Sequence, residues 1–183
     1  MFDNSPTIRA ARHDDIADIQ AIYGHYVTSG LASFEIDAPD TAEITRRFEA
    51  ISARGFPYFV AEVDGRVGGF AYANTYRSRP AYNYTVEDSV YVSPSFVGRG
   101  LGRGLLAALI EACSEAGFRQ MIAVIGDSAN HPSIKLHRAL GFTQVAVLPS
   151  VGFKFGRWVD SVLMQRPLGA GDTTLPHAAD PRS

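Results

Sequence analysis

Two features of this sequence have residue types and spacing suited to chemistry, and they lie close together. Residues 97–104 read Val97-Gly98-Arg99-Gly100-Leu101-Gly102-Arg103-Gly104, and shortly upstream Glu87 precedes an alternating segment, Ser89-Val90-Tyr91-Val92-Ser93. A strand that breaks at Pro94, turns through spaced glycines and enters a helix leaves backbone N–H groups unpaired at the positive end of a helix dipole, where phosphate is attracted. The spacing excludes two phosphate signatures. A nucleotide P-loop ends in Gly-Lys-Ser/Thr, and the run has no Gly-Lys pair. A dinucleotide fingerprint needs a third glycine three residues after the second, where this chain has Arg103 or Leu105. What remains is Gly-x-Gly-x-Gly with Arg99 and Arg103 interleaved, which is either a local anion cradle or an ordinary glycine-rich loop.

Glu87 has two readings of its own. Flanked by Val86 and the apolar run Val90 to Val92, its carboxyl would gain pKa on burial and become a useful general base. It shares one side of the alternation with Ser89 and Tyr91, so a carboxylate on a solvated strand face is equally consistent. His137, between Leu136 and Leu140, reads on its own as a hydrogen-bonded core histidine. The other histidines have no partner pattern. No paired ligand spacing suggests a metal.

The chain of 183 residues suits one well-buried domain. A net charge of −2 excludes a broadly basic nucleic-acid or anionic-membrane binder, so any polyanion is held locally. The single cysteine, Cys113, excludes an intrachain disulfide and suits a reducing compartment. The amino-terminal region, with Asp3, Asp14 and Asp15 and no long apolar run, reads as neither signal peptide nor membrane span, so the cytoplasm is the expected location.

These residues need elements to position them. Thr7 to Ala11 reads as a strand, and Asp14 or Asp15 caps a helix with Ile16, Ile19, Ile22, Tyr23 and Tyr26 at helical spacing. Asp40 or Thr41 caps a second, with Ile44, Phe48 and Ile51 on one face. Residues 58–63 and 66–76 form a hairpin around Asp64-Gly65. Residues 85–93 make a strand, 104–116 a long helix, 120–125 a buried strand, and Asn130 with Pro132 opens a helix that stops at Gly141. Residues 142–148 and 158–165 complete the sheet, separated by a glycine-rich connection at Gly152 and Gly156, and residues 169–183 read as a disordered tail. The order predicts an α/β fold, one domain over residues 1–168, with a mixed, mostly antiparallel sheet flanked by helices.

The motifs resemble the GNAT superfamily of acetyl-coenzyme A-dependent N-acetyltransferases. In that family a strand is followed by Gln/Arg-x-x-Gly-x-Gly/Ala at a helix start, here Val97 to Gly102, with Val97 departing from the polar first residue. Asn130, followed by a helix ending in Gly141-Phe142, is the second family element. A narrower resemblance spans residues 8–167. Arg79-Pro80-Ala81-Tyr82, Thr85-Val86-Glu87-Asp88-Ser89-Val90-Tyr91-Val92, Val124-Ile125-Gly126, Leu136-His137-Arg138-Ala139-Leu140-Gly141-Phe142, and Gly152-Phe153-Lys154 with Gly156-Arg157-Trp158 and Asp160 are similar to the phosphinothricin acetyltransferase group.

The resemblance implies transfer of acetyl from acetyl-coenzyme A to the α-amino group of a small amino-acid analogue (phosphinothricin, methionine sulfoximine or methionine sulfone), in a ternary complex and without metal. It implies that Gly98, Arg99, Gly100, Leu101, Gly102 and Arg103 hold the pyrophosphate, that Val90, Tyr91 and Val92 run beside the pantetheine, and that Asn130 and Ser133 contact its arm. It assigns Glu87 as general base and His137 as proton donor or substrate-orienting group. Phe34, Arg79, Tyr82, Thr85 and Lys154 are the implied acceptor contacts, and a homodimer is implied. Two other readings stay open: another amine as acceptor, such as a polyamine or a protein amino terminus, and a non-catalytic acyl-coenzyme A-binding module that would need neither Glu87 nor His137.

Overall fold

The structure, a computed structural model, describes residues 6–176. The chain runs β1 (Thr7–Ala10), α1 (Ile16–Ser29), α2 (Thr41–Ala53), β2 (Tyr58–Val63), β3 (Arg66–Thr75), β4 (Thr85–Val92), α3 (Leu101–Glu115), β5 (Gln120–Gly126), α4 (His131–Ala139), β6 (Thr143–Lys154) and β7 (Arg157–Pro167). The seven strands form one sheet in the order β1-β2-β3-β4-β5-β7-β6. Every neighbouring pair is antiparallel except β4 and β5, which α3 connects. This is the single mixed, mostly antiparallel α/β domain that the element order predicts.

Helices α1 and α2 cover one face of the β1 to β4 half and α3 covers the other, while α4 packs on β5 and β6. Their apolar stripes explain why. Ile16, Ile19, Ile22, Tyr23 and Val27 of α1, and Ile44, Phe48 and Ile51 of α2, are buried at helical spacing, as are Leu101, Leu105, Leu106, Leu109 and Cys113 of α3. Asp40 caps α2 by accepting from the Glu43 amide at 2.8 Å.

Two boundaries differ from the sequence reading. Helix α3 starts at Leu101, inside the glycine run, because Gly100 takes φ +82° and turns the chain straight into the helix. Strand β6 continues through Gly152 to Lys154, where a connection was expected. A register shift between Leu148 and Gly152, with Ser150 at φ +55°, absorbs the irregularity, and the reversal comes at Phe155-Gly156, both at positive φ as a tight hairpin requires.

The segment expected as a tail is described as far as Pro176. Arg119 donates to the carbonyls of Gly171 and Leu175 and to the Thr174 hydroxyl, and Leu168 is buried. Residues 177–183 of that segment lie outside the described residues.

Candidate active site

The site begins where two strands part. Strands β4 and β5 are paired from Thr85↔Gln120 to Asp88↔Ala123 and no further. Beyond this point they enclose a cleft of about 800 Å³ lined by Glu87 to Tyr91 on one side and Ala123 to Gly126 on the other. The amide of Ser93 donates to the Gly68 carbonyl at 2.8 Å, which fixes the β3–β4 alternation: Tyr91 and Ser89 bond to β3, while Val90 and Val92 turn their backbone groups away from it, those of Val90 to the cleft. The Val92 carbonyl accepts the Tyr26 hydroxyl at 2.6 Å, tying α1 to the end of β4.

Past Val92 the chain enters the glycine turn. Gly98 and Gly100 both take positive φ, with open space where a side chain would stand. The Gly104 amide bonds to the Gly100 carbonyl at 3.1 Å, so the amides of Leu101, Gly102 and Arg103 are the first-turn donors that no helical carbonyl satisfies. Arg99 and Arg103 are exposed beside them, and a Cβ on Gly102 would lie 3.3 Å from Leu136. The turn therefore fits an anion of pyrophosphate size on chemistry and on space. Across the cleft Asn130 caps α4, accepting from the Ser133 amide at 3.3 Å, and both residues line the cleft.

Alternation along β4 sorts its side chains. Glu87, Ser89 and Tyr91 face α1 and α2, beside Asn74, Tyr72 and Phe70 of β3. Glu87 is partly buried in this aromatic surface, and burial, with the charge of Asp88 adding, pushes its carboxyl up to about 7. Tyr72 and Tyr91 are raised in the same way by burial, which leaves both phenols neutral and Tyr72 bonded to Ser89. Tyr23 reaches in from α1, its hydroxyl 2.9 Å from Glu35 and 3.1 Å from Ser33.

His137 lies on the opposite face, 4% exposed. Its Nε2 is 2.9 Å from Asp88 Oδ2 and its Nδ1 is 2.8 Å from the Ser133 carbonyl. Burial opposes the imidazolium, but the hydrogen bond and charge of Asp88 outweigh it and raise the pKa. Asp88 and the Ser133 carbonyl place an acceptor at each nitrogen, surroundings that favour the doubly protonated ring. Of the two sequence readings of His137, the geometry is that of a buried, partnered histidine at the cleft wall.

The expected acceptor contacts separate into three groups. Phe34 lines the cleft. Arg79, Tyr82 and Thr85 do not: Arg79 and Tyr82 are exposed on the short turn before β4, and Thr85 lies at the paired start of that strand. Their neighbours Tyr76 and Arg77 line it instead, with the Arg77 guanidinium 5.2 Å above the Tyr76 ring. Lys154 is 3% exposed, and its Nζ donates to the Ser33 carbonyl at 2.7 Å. Sequence reasoning missed Tyr23, Glu35, Tyr72 and Arg77. The only local signal for them was the helical spacing of Tyr23 and the alternation that sets Tyr72 opposite Ser89.

A split sheet with an anion-binding turn at the mouth and a carboxylate of raised pKa inside is the working arrangement of an acyl-transfer enzyme. The Acetyltransferase (GNAT) family model matches residues 19–142, and the chain belongs to that family of acetyltransferases. It is 55% identical over 170 residues to the phosphinothricin N-acetyltransferase of Alcaligenes faecalis, covering 93% of this chain and 86% of that protein. It is 44% identical to the L-methionine sulfoximine/L-methionine sulfone acetyltransferase of Salmonella typhimurium, covering 88% and 94%. In structure it is similar to a GNAT superfamily phosphinothricin acetyltransferase from Sinorhizobium meliloti in complex with AcCoA, with a TM-score of 0.94, 45% identity and 97% of each chain covered. The N-acetyltransferase fold and class expected from the motifs are therefore established.

Proposed function

We propose that this enzyme transfers acetyl from acetyl-coenzyme A to the α-amino group of a small amino-acid analogue of the phosphinothricin, methionine sulfoximine or methionine sulfone type, directly within a ternary complex. The observation that carries this is Glu87, a carboxyl raised to about 7 on the face of β4 that looks into the cleft, beside the cleft-facing amide of Val90. The names of the relatives support the acceptor class.

Acetyl-coenzyme A, when bound, supplies a thioester carbonyl: the amine forms the C–N bond as the C–S bond breaks and thiolate leaves. The amides of Leu101, Gly102 and Arg103, with Arg99 and Arg103, would hold its pyrophosphate, and the backbone of Val90 to Val92, with Asn130 and Ser133, its pantetheine. The Val90 amide is turned to donate to the carbonyl oxygen as charge develops there. Glu87, ionised for half its population near pH 7, takes the proton of the ammonium directly or through one water. His137, bonded at both nitrogens, holds Asp88 and the start of α4 in position, so the thiolate leaves without a proton from it. Phe34 and Leu163 offer an apolar wall to the acceptor side chain, and Arg77 a cation for its carboxylate.

The enzyme works as a homodimer in this reading. Strand β6 is an edge strand whose Val151 and Phe153, with Phe155 of the turn that follows it and Trp158 of β7, are all more than half exposed, an apolar area that a second copy would cover. Cys113, the single cysteine of the sequence, is buried in the core, in keeping with the reducing cytoplasm. The deciding experiment is coenzyme A release measured with phosphinothricin, methionine sulfoximine, methionine sulfone, ordinary amino acids and polyamines. Turnover with the first three supports the reading, and turnover confined to polyamines overturns it.

A further inference from the structure

The segment 31–35 forms one wall of the cleft without a strand or helix of its own. Such a wall keeps its shape only through anchors, and four distant elements supply them. From α1, Tyr23 bonds to Ser33 and Glu35. From α2, Arg47 pairs with Glu35 at 2.7 Å. From β6, the buried ammonium of Lys154 donates to the Ser33 carbonyl at 2.7 Å.

The fourth anchor is an absence of side chains. A Cβ on Gly152 would stand 2.5 Å from the Phe34 ring, and a Cβ on Gly126 would stand 3.0 Å from the same ring and collide with the Leu31 carbonyl. Phe34 therefore lies directly on two backbones, the end of β5 and the late part of β6. Neither glycine has positive φ, so close approach rather than turn geometry is what requires glycine there. Burying an ammonium carries a desolvation cost, and burial does lower the Lys154 pKa, with the charge of Glu35 opposing. A buried cation with one carbonyl partner on a loop 121 residues away in sequence is explained by what it holds.

We infer that Gly126, Gly152 and Lys154 together form a seat that fixes Phe34 as the gauge of acceptor side-chain size, Lys154 being a positioning residue that does not touch the acceptor. The inference rests on the acceptor reading given above and deepens it. The ring, wedged against two backbones and held from behind through Ser33, cannot retreat to admit a bulkier side chain. Release of the seat widens the acceptor site and leaves the glycine turn unaltered.

The test compares wild type with Gly152→Ala, Lys154→Met, Phe34→Ala and the double variant Gly152→Ala/Phe34→Ala. Readouts are kcat and KM for amino-acid acceptors of graded size, acetyl-coenzyme A affinity by calorimetry, and hydrogen exchange of the amides in residues 31–35. The expected result is an acceptor KM raised about tenfold for small acceptors in Gly152→Ala and Lys154→Met, the loss of roughly one buried charge-assisted hydrogen bond or its equivalent in packing. Preference shifts toward larger acceptors in Lys154→Met and away from them in Gly152→Ala, whose Cβ drives the ring toward the cleft; exchange in the segment is faster in Lys154→Met, and coenzyme affinity is unchanged. In the Phe34→Ala background Gly152→Ala has no further effect, because the clash it creates is gone. Variants matching wild type in acceptor KM and selectivity, or a Gly152→Ala effect that persists without Phe34, overturn the inference while the acetyltransferase reading stands. A wild-type enzyme inert toward every amino-acid acceptor overturns that reading and the inference with it.

Discussion

Asp88 Oδ2 lies 2.9 Å from His137 Nε2, joining β4 to α4 through an ion pair whose two side chains are 1% and 5% exposed. The neighbour of Asp88 in sequence, Glu87, points to the other face of the sheet, so adjacent carboxylates on one strand live in different surroundings. Asp88 is paired with the His137 ring, and Glu87, with burial and the charge of Asp88 both against its ionised form, is pushed up toward neutrality. One holds the scaffold, and the other is left poised to exchange a proton.

The ion pair makes stability depend on pH in a defined direction. A histidine whose folded pKa exceeds its ordinary 6.5 contributes its full stabilisation below that value and loses it as pH rises through the folded pKa. Asp88→Asn or His137→Ala leaves one buried partner alone and should cost about 3–5 kcal/mol near pH 6, with a smaller difference at pH 9. Thermal denaturation at the two pH values checks the loss, and an NMR titration of the His137 ring checks its direction.

Glu87 gives the opposite sign for function and stability. Only its ionised form accepts a proton, so kcat/KM should rise with pH to a plateau, with an inflection near 7. A carboxyl raised from 4.5 to about 7 on folding contributes stability below 4.5 that is lost as pH rises through 7. Glu87→Gln should therefore lower kcat about 10²-fold or more at pH 7 and, above pH 8, make the protein more stable by up to about 3 kcal/mol. Coenzyme affinity should not change. A pH–rate profile and melting curves of both proteins read out the two effects.

The two arginines before β4 separate the sequence reading from the geometry. Arg77→Ala should raise the acceptor KM by about tenfold or more, the scale of one charge-assisted hydrogen bond, with little change in coenzyme affinity. Arg79→Ala, on the exposed turn, should change the acceptor KM by less than about threefold. Steady-state kinetics with methionine sulfone distinguish them.

The apolar edge predicts association. Trp158, 64% exposed, and Phe153, 59% exposed, stack edge to face on the β6–β7 hairpin. Trp158→Asp should convert a dimer into a monomer without unfolding it, because neither ring belongs to the buried core. Light scattering gives the mass, and circular dichroism the fold.

Local chemistry in the sequence was enough to find what lies along one strand and its turn. Asp64-Gly65 marked a hairpin, helical spacing marked α1 and α2, and Glu87 with the glycine run marked the reacting region. The late part of β6 escaped because Ser150 and Phe155 take left-handed conformations that their residue types do not advertise. Arg77 and Arg79 are nearly equivalent in sequence and both exposed, and only the path of the turn decides which one borders the cleft. The roles of His137 and Lys154 depended on partners 49 and 121 residues away, Asp88 and the Ser33 carbonyl, which no spacing rule connects to them.

The alternation of β4 also limits how this protein can evolve. Substitutions at Ser89 or Tyr91 reshape the acceptor face one residue at a time, and each can be tried and discarded. A one-residue deletion between Glu87 and Pro94 is different in kind, because it turns every following side chain to the other face and every following amide to the other edge. The proposed acceptor pocket and oxyanion donor, and the approach to the glycine turn, would fail in a single step. New acceptor preferences must therefore come from point changes on this strand, and from insertions or deletions only in the loops around it.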